Sequence, residues 1–563
     1  MIFGQISNDR ASIKGSPQSE TATLNTLERK CSVVFFGHLV DSFELTKKYK
    51  TKTDAQTVLH HYLKKGNKSF VDFSGSYAFA ILDRIGENQK TTLTLVRDRI
   101  GTKNIFYTKT PNGIVFASNL QQLFLKFKVR AILDSDGLNT MLLLGPSRPQ
   151  DSGVYKNIHA VSAGHFVEYA DNETTISQYY SLQSVPFEMS FDDSIEYAKE
   201  IIRLRTDSYL QSSSPIACFL SGGIDSSVLT YLYKNSPNRK SALTTISVDY
   251  KDSEHDFVAN SFQPESDKNY IKIMSKFVAS KHIDIILDNE ELSKAIYQTA
   301  IFRGLPGMAD IDSSLYLLCK NVKQHFDIAL SGECADEIFG GYPWYHDISL
   351  REHQGFAWSK DLGVRTNIFD IDNNVATRFV DKHYLATLAS VSGLQTDDEL
   401  EKRIRELFVL NLNWFGASLL ERKEMMSGAA GLQVRMPFTD HKLVEFAYNL
   451  PWALKSLDGR EKGIMRQAFK GLLPDAIINR KKSPYPKSFS PIYFDFVKEK
   501  VLQIISSNSP ASVLLNKSNL LKLMESDPMS QQPWYGQLMR LPQLLGYIIQ
   551  LDTILKEFKV TII

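Results

Sequence analysis

The sequence predicts an α/β chain of two domains: a front unit of mostly short strands, then a doubly wound parallel sheet with helices on both faces. Three observations predict it. At 563 residues the chain is longer than one hydrophobic core usually covers, so two or more domains are expected. Residues 1 to about 130 carry short β-rich runs between turn residues. From the strand at Ile216 onward apolar strands alternate with helical patterns, the order that builds a parallel sheet between helices.

Bulk composition narrows the function. Hydrophobic residues make up 43% and charged residues 23%, the balance of a soluble globular protein. A formal net charge of +2 gives no reason to expect nucleic acid or an anionic membrane as partner. Cys31, Cys218, Cys319 and Cys334 are scattered without metal-ligand spacing, and so few cysteines fit a reducing compartment. Met1 to Ser7 has no signal-peptide pattern, and no apolar run is long enough to span a bilayer. A cytoplasmic location is therefore expected.

In the front unit, Ser32–Phe36, Ser76–Leu82, Thr92–Val96 and Gly113–Ala117 read as strands. Asp54 to Lys64 places Val58, Leu59 and Tyr62 at helical spacing. Leu144-Gly-Pro-Ser-Arg-Pro149 is a break, and Val154 to Tyr180 follows as a small β segment. A helix is expected from Ser190, with Asp192 and Asp193 in its first turn suiting the dipole and Ile195, Ala198, Ile202 and Tyr209 on one apolar face.

The next stretch organises the rest. Ile216 to Leu220 is apolar throughout, as a strand covered on both faces should be. Ser221-Gly-Gly-Ile-Asp-Ser-Ser227 then makes a tight turn into a helix, which Ser226 and Ser227 are placed to cap. Free N–H groups and a helix dipole converge there on a site for an anion. The lysine of the common mononucleotide phosphate loop is absent. Asp225 inside an anion-binding turn is repulsive unless a cation bridges it to phosphates, which implies Mg²⁺.

Leu243 to Val248 reads as the following strand, and its carboxyl end, with Ser247, is expected to border a bound ligand. Leu305 to Leu315 is a loop feeding a helix, with Ser313 or Ser314 near an N-terminus suited to a carboxylate or phosphate. Asp327–Leu330 is a strand running into Ser331-Gly-Glu-Cys-Ala-Asp-Glu-Ile-Phe-Gly-Gly-Tyr-Pro-Trp344. Carboxylates just after a strand can complete a Mg²⁺ site and supply a base.

These strings resemble known ones. Ser221 to Ser227 is similar to the pyrophosphate loop of the ATP pyrophosphatase superfamily. Its pairing with Ser331 to Trp344 resembles the asparagine synthetase family, as do Gly431 to His441 and Arg480 to Lys487. Asp98 to Lys103 with Ile105 to Tyr107, and Phe116 to Asn119, resemble the class II glutamine amidotransferase domain of that family. Ala163-Gly-His165 and Tyr179 to Ser181 resemble its domain junction. The resemblance implies an Ntn-hydrolase-like αββα sandwich over residues 1–185. Over residues 186–563 it implies a doubly wound parallel sheet of the PP-loop ATP pyrophosphatase type with added helices.

It also implies a site. Ser221, Gly222, Gly223, Asp225, Ser226, Ser227, Ser247 and Gly332 would bind ATP and pyrophosphate, and Asp225 and Asp336 would hold Mg²⁺. Glu333 would be the base that takes a proton from the attacking amine. Lys482 would stabilise charge developing on the phosphate, with Lys481 and Lys487 as alternatives.

The front domain departs from the pattern. Ile2 replaces the nucleophilic cysteine, and Phe36 stands where an oxyanion-hole amide should be. The segment carrying the glutamine-clamping arginine is missing between Gln5 and Cys31. His38, two residues after Phe36, is not expected to be catalytic. Gln433 replaces the family's glutamate and is expected to alter substrate contacts.

The resemblance therefore implies an AMP-forming, ATP-dependent amide ligase with a degenerate glutaminase half, as in lasso-peptide cyclases and β-lactam synthetases. Its substrate would be a small-molecule or peptide carboxylate carrying its own amine. Precursor-processing partner proteins and a homodimer are compatible with this. An ammonia-dependent asparagine synthetase is the alternative. A silent scaffold is opposed by intact Asp225, Glu333, Asp336 and Lys482.

Overall fold

Two antiparallel sheets face each other across the front of the chain in the computed structural model, which describes all residues except 8–9, 27, 87–89, 252–264, 486–489 and 527–531. One runs in the order His159–Ala160, Phe106–Thr110, Gly113–Ala117, Ile2–Ser7, Arg10–Gly15. The other runs Glu173–Gln178, His165–Ala170, Lys90–Arg97, Ser74–Ile85, Arg29–Val40, Glu20–Asn25.

Side-chain alternation explains why the central strands read as unbroken apolar runs. In Arg29–Val40, Val34 and Phe36 point between the sheets, onto Ile2, Ala78, Ala80 and Phe116. Val33 and Phe35 point the other way, onto Val58, Leu59 and Tyr62 of the helix Asp54–Lys65. Both faces are covered, so neither is polar. On the far side of the first sheet, Leu120–Leu125 and Ser135–Leu144 merge into the core of the second unit. The result is the expected αββα sandwich, with one helical layer shared between the units.

The last front strand ends at Gln178, and the first helix of the second unit is Phe191–Tyr209. Its Ser190 cap accepts a hydrogen bond from Asp193 N at 3.2 Å. The second unit is a five-stranded parallel sheet in the order Lys281–Leu287, Thr244–Tyr250, Ile216–Phe219, Ile328–Leu330, Gln433–Arg435. From Ile216–Phe219 the chain continues to the strand on one side. It later returns to add Ile328–Leu330 on the other side. The strand order reverses between these two, and a crevice opens at their carboxyl ends. The loops beyond them are Leu220–Gly223 and Ser331–Cys334.

The buried helix Gly416–Ala430 lines that crevice with Leu419, Arg422 and Lys423, and the buried Leu541–Glu557 packs on the helices Asn289–Arg303 and Pro491–Ser506. At the very end, Thr561–Ile562 pairs in parallel with Ile132–Leu133 of the front unit. Among the described residues no helix is long and apolar enough to cross a membrane.

Candidate active site

The crevice is built from the first loop outward. Gly222 has φ +69°, and a Cβ there would lie 2.6 Å from the Cβ of Tyr270, so both conformation and space require glycine. The helix begins at Ile224 with Gly223 as its cap. Ser226 and Ser227 are therefore inside its first turn and do not cap it as expected. Ser226 Oγ instead staples the turn, accepting from Ser221 N at 3.2 Å and donating to Gly223 O at 3.1 Å. Ser227 is fully buried, outside the crevice lining.

The second loop meets the first. A Cβ on Gly332 would stand 3.0 Å from that of Asp225, so glycine permits this close approach. Ser221, Gly223, Asp225, Ser226, Ser247, Gly332, Glu333, Asp336, Lys481 and Lys482 all line one cavity of about 240 Å³. Gly222 shapes the turn from behind. Lys487 lies outside the described residues.

Four charges cluster at one end. Lys462 Nζ is 2.5 Å from Asp225 Oδ2 and 2.7 Å from Asp336 Oδ1. Lys482 Nζ is 2.7 Å from Asp336 Oδ2 and sits 4.5 Å from the centre of the Tyr342 ring. Burial opposes the charge of Asp336, but Lys462 and Lys482 outweigh it and hold the carboxyl well below its usual range. Burial likewise opposes the Lys462 ammonium, and the two carboxylates together hold it above the ordinary lysine value.

Sequence reasoning missed Lys462. It lies in a charged stretch, Arg460-Glu-Lys462, with no motif around it. The local signal exists only in the backbone: Lys462 adopts φ +58° ahead of the helix Gly463–Ala468. A left-handed non-glycine residue costs about 1–2 kcal/mol, which two buried ion pairs offset.

Lys482 is presented from behind by Glu461, whose Oε1 accepts from Lys482 N at 3.0 Å and pairs with Arg466 at 2.6 Å. Arg480 donates to Ser221 O at 2.9 Å, pairs with Asp267, and covers the Tyr270 ring at 4.2 Å. The segment 480–482 is thus tied to the first loop.

At the other end, Glu333 pairs with Lys423 at 2.9 Å and lies 3.9 Å from Arg422. Burial opposes its charge, yet Lys423 and Arg422 keep its carboxyl below the ordinary range. Glu333 is therefore ionised at neutral pH and can hold an ammonium group or accept its proton. Behind it, Glu337 accepts from Tyr342 Oη at 2.7 Å. Burial, then the charges of Asp336 and Glu333, push Glu337 up to about 7.

That shift has a signed consequence. The folded state keeps the Glu337 proton where the unfolded chain has lost it. Its stability contribution is full below about pH 4.5 and is lost as pH rises through about 7. Glu337→Gln keeps an acceptor for Tyr342 and should flatten the fall in thermal stability between those values. Parallel Tm–pH curves for variant and parent would show the assignment to be wrong.

Two expectations are corrected. Ser313 and Ser314 are fully buried. Internal acceptors take the amides leading into their helix: Gln550 Oε1 from Gly307 N, and Asp312 Oδ2 from Met308 N. The amides of Gly307, Met308 and Ala309 ahead of that helix are thus directed to side chains of the protein, not to an anion. Gln433 is not in the crevice. It begins its strand, opposite the carboxyl ends that form the site, and donates from Nε2 to Gly37 O of the front unit at 3.2 Å. A glutamate there would face a carbonyl with no proton to give, so the amide serves the domain interface.

In the front unit, Ile2 is buried between the two sheets, and its N–H donates to Ser118 Oγ at 2.8 Å. His38 is buried edge-on to Tyr209, 5.0 Å between ring centres, with no hydrogen-bond partner on either nitrogen. Burial and then the nearby Arg435 and Lys103 charges push its pKa well down, so it is neutral, as a core histidine should be.

Residues 200–555 match the asparagine synthase family, and residues 17–180 match a glutamine amidotransferase domain. The chain is 34% identical over 545 residues to asparagine synthetase (glutamine-hydrolyzing) 3 of Bacillus subtilis, covering 94% of this chain and 88% of that protein. It is 23% identical to B. subtilis asparagine synthetase (glutamine-hydrolyzing) 1, covering 88% and 81%. It is 21% identical to the human asparagine synthetase (glutamine-hydrolyzing), covering 80% and 72%.

Proposed function

We propose, from the premise that this chain belongs to the asparagine synthase family and is an ATP-dependent carbon–nitrogen ligase, that it forms its amide without hydrolysing glutamine. The observation that carries this reading is the contrast between the two units. Ile2 is sealed in a core where a nucleophile would have to be exposed, while the crevice of the second unit keeps a complete charged set.

The donor is an aspartate- or glutamate-like carboxylate. Its oxygen attacks the α-phosphorus of ATP, the bond to the β-phosphate bridging oxygen breaks, and pyrophosphate leaves. The turn at Gly222–Gly223 and the start of the helix Ile224–Asn235 hold pyrophosphate, and Ser247 borders the base. Lys482 and Lys462 oppose the charge that builds on the leaving phosphate. The amine nitrogen then attacks the acyl carbon, AMP departs, and Glu333 takes the proton released from nitrogen.

Mg²⁺ suits the same end. Asp225 Oδ1 is buried there with no hydrogen-bond partner. Among the described residues no group of three or more His, Cys, Asp or Glu side chains is placed to hold a metal. Asp225 and Asp336 would therefore supply two oxygens, with phosphate and water supplying the rest. The ion would neutralise phosphate charge.

The amine is best borne by the substrate itself, as in a lasso-cyclase-like or other specialised macrolactam or amide synthetase. Free ammonia is mostly protonated at neutral pH, whereas a tethered amine makes the attack effectively unimolecular. Ammonia-dependent synthesis of asparagine from aspartate is the second reading. It is favoured by the Ser331–Trp344 loop and by the names of the relatives.

One assay separates them. Purified protein receives ATP, Mg²⁺ and aspartate with either ammonium or glutamine. The expected result is no glutamate from glutamine and no asparagine at an ordinary enzymatic rate. Asparagine from ammonium would replace the first reading with the second, and glutamate release sensitive to a glutamine-analogue alkylator would overturn both.

A further inference from the structure

The helix Gly416–Ala430 carries four successive charged residues, Glu421-Arg-Lys-Glu424, each no more than 7% exposed. Successive side chains on a helix point about 100° apart, so these four look in four directions. Each buried charge needs a partner. Glu421 pairs with Arg148 of the front unit at 2.8 Å, and Glu424 pairs with Lys103 of the same unit. Arg422 and Lys423 turn the opposite way, onto Glu333.

Lys103 is rigidly presented. Asp98 accepts hydrogen bonds from the amides of Ile100, Gly101, Thr102 and Lys103, between 2.8 and 3.1 Å, locking the turn that ends in Lys103. Lys103 Nζ also lies 4.8 Å from the centre of the Phe36 ring. Met1 adds a further contact: a Cβ on Gly428 would lie 3.2 Å from Met1 Cε, so the Met1 side chain packs on the last turn of the same helix.

We propose that Lys103 is a positioning residue of the synthetase site. Through its buried pair with Glu424 it fixes the rotation of the helix Gly416–Ala430, and thereby the approach of Lys423 to Glu333. A front domain without glutaminase chemistry is then retained as the part that sets the geometry of its neighbour. This rests on reading the Ser331–Gly341 loop as the synthetase site, although the coupling itself can be measured whichever group activates the amine.

Native-state hydrogen exchange on the full chain provides the test. Reporter amides in the loop are Ser331, bonded to Arg435 O at 2.9 Å, and Gly341, bonded to Asp336 O at 2.8 Å. Lys103→Met should speed their exchange about tenfold or more, while Lys103→Arg, which keeps the charge, should not. Ile81→Ala, which opens a front-domain core facing away from the interface, is the control for general destabilisation and should leave the loop protected. If Lys103→Met fails to fold, the double variant Lys103→Met/Glu424→Gln leaves neither charge unpaired and should show the same loss of protection. Unchanged loop protection in whichever of these folds, or equal loss in Ile81→Ala, would overturn the proposal. Loss of amide-forming activity in Glu333→Gln bears on the base alone and not on this coupling.

Discussion

Asp225→Asn should lower Mg²⁺-dependent ATP–pyrophosphate exchange by about a thousandfold or more and leave the protein folded. The amide is the same size, and its oxygen can still accept from Lys462, whose Nζ now lies 2.5 Å from Asp225 Oδ2. What it loses is the negative charge next to the pyrophosphate turn. Loss of one well-placed charged or polar group in a transition state typically costs a factor of about 100 to 1,000. Asp225 contributes twice, toward the cation and toward Lys462, so the upper end is expected. Exchange would be followed with the carboxylate that supports it in the parent, and folding by thermal melting. Exchange within tenfold of the parent would remove Asp225 from the metal and pyrophosphate site.

The second large effect separates the two lysines on Asp336. Lys462 is 3% exposed and bridges carboxylates from the first turns of two helices, Ile224–Asn235 and Ala335–Ile338. Lys462→Met would leave Asp225 and Asp336 buried without that cation. Breaking a buried pair from one side costs about 3–5 kcal/mol, so stability and exchange should fall together. Lys482 contacts one carboxylate and the Tyr342 ring, and its side chain is 15% exposed. Lys482→Ala should slow adenylate formation about a hundredfold, close to 3 kcal/mol, with little change in melting temperature. A stable Lys462→Met protein, or a Lys482→Ala protein with parental exchange, would reverse the two assignments.

The glycine turn at Ser221–Ser227, the carboxylate loop after Asp327 and the paired apolar strands were all legible from neighbouring residues. Each depends on short-range geometry: a glycine where φ must be positive, a β-run of few residues, a helix starting within a turn. Even there the cap was misplaced. Which residue caps a helix depends on the last degrees of φ and ψ, and Gly223 took the position expected of Ser226 or Ser227. That positions 2 and 36 hold no nucleophile and no amide was legible for the same local reason, since isoleucine and phenylalanine side chains have no such atom in any fold.

The sequence by itself determined the strand–turn–helix units, the two-layer front, and the pair of loops that any parallel sheet would bring to its carboxyl edge. Only the tertiary structure decided which charges meet there. Lys462 and Asp225 are 237 positions apart, and Lys103 and Glu424 are 321 apart. Gln433 fell on the far edge of its strand, against Gly37 of the front unit, where sequence similarity alone had placed it near the substrate. Local backbone preference acts over a few residues. A buried charge must find an opposite one wherever strand order and domain packing bring it, and that choice is made only when the sheet and the interface close.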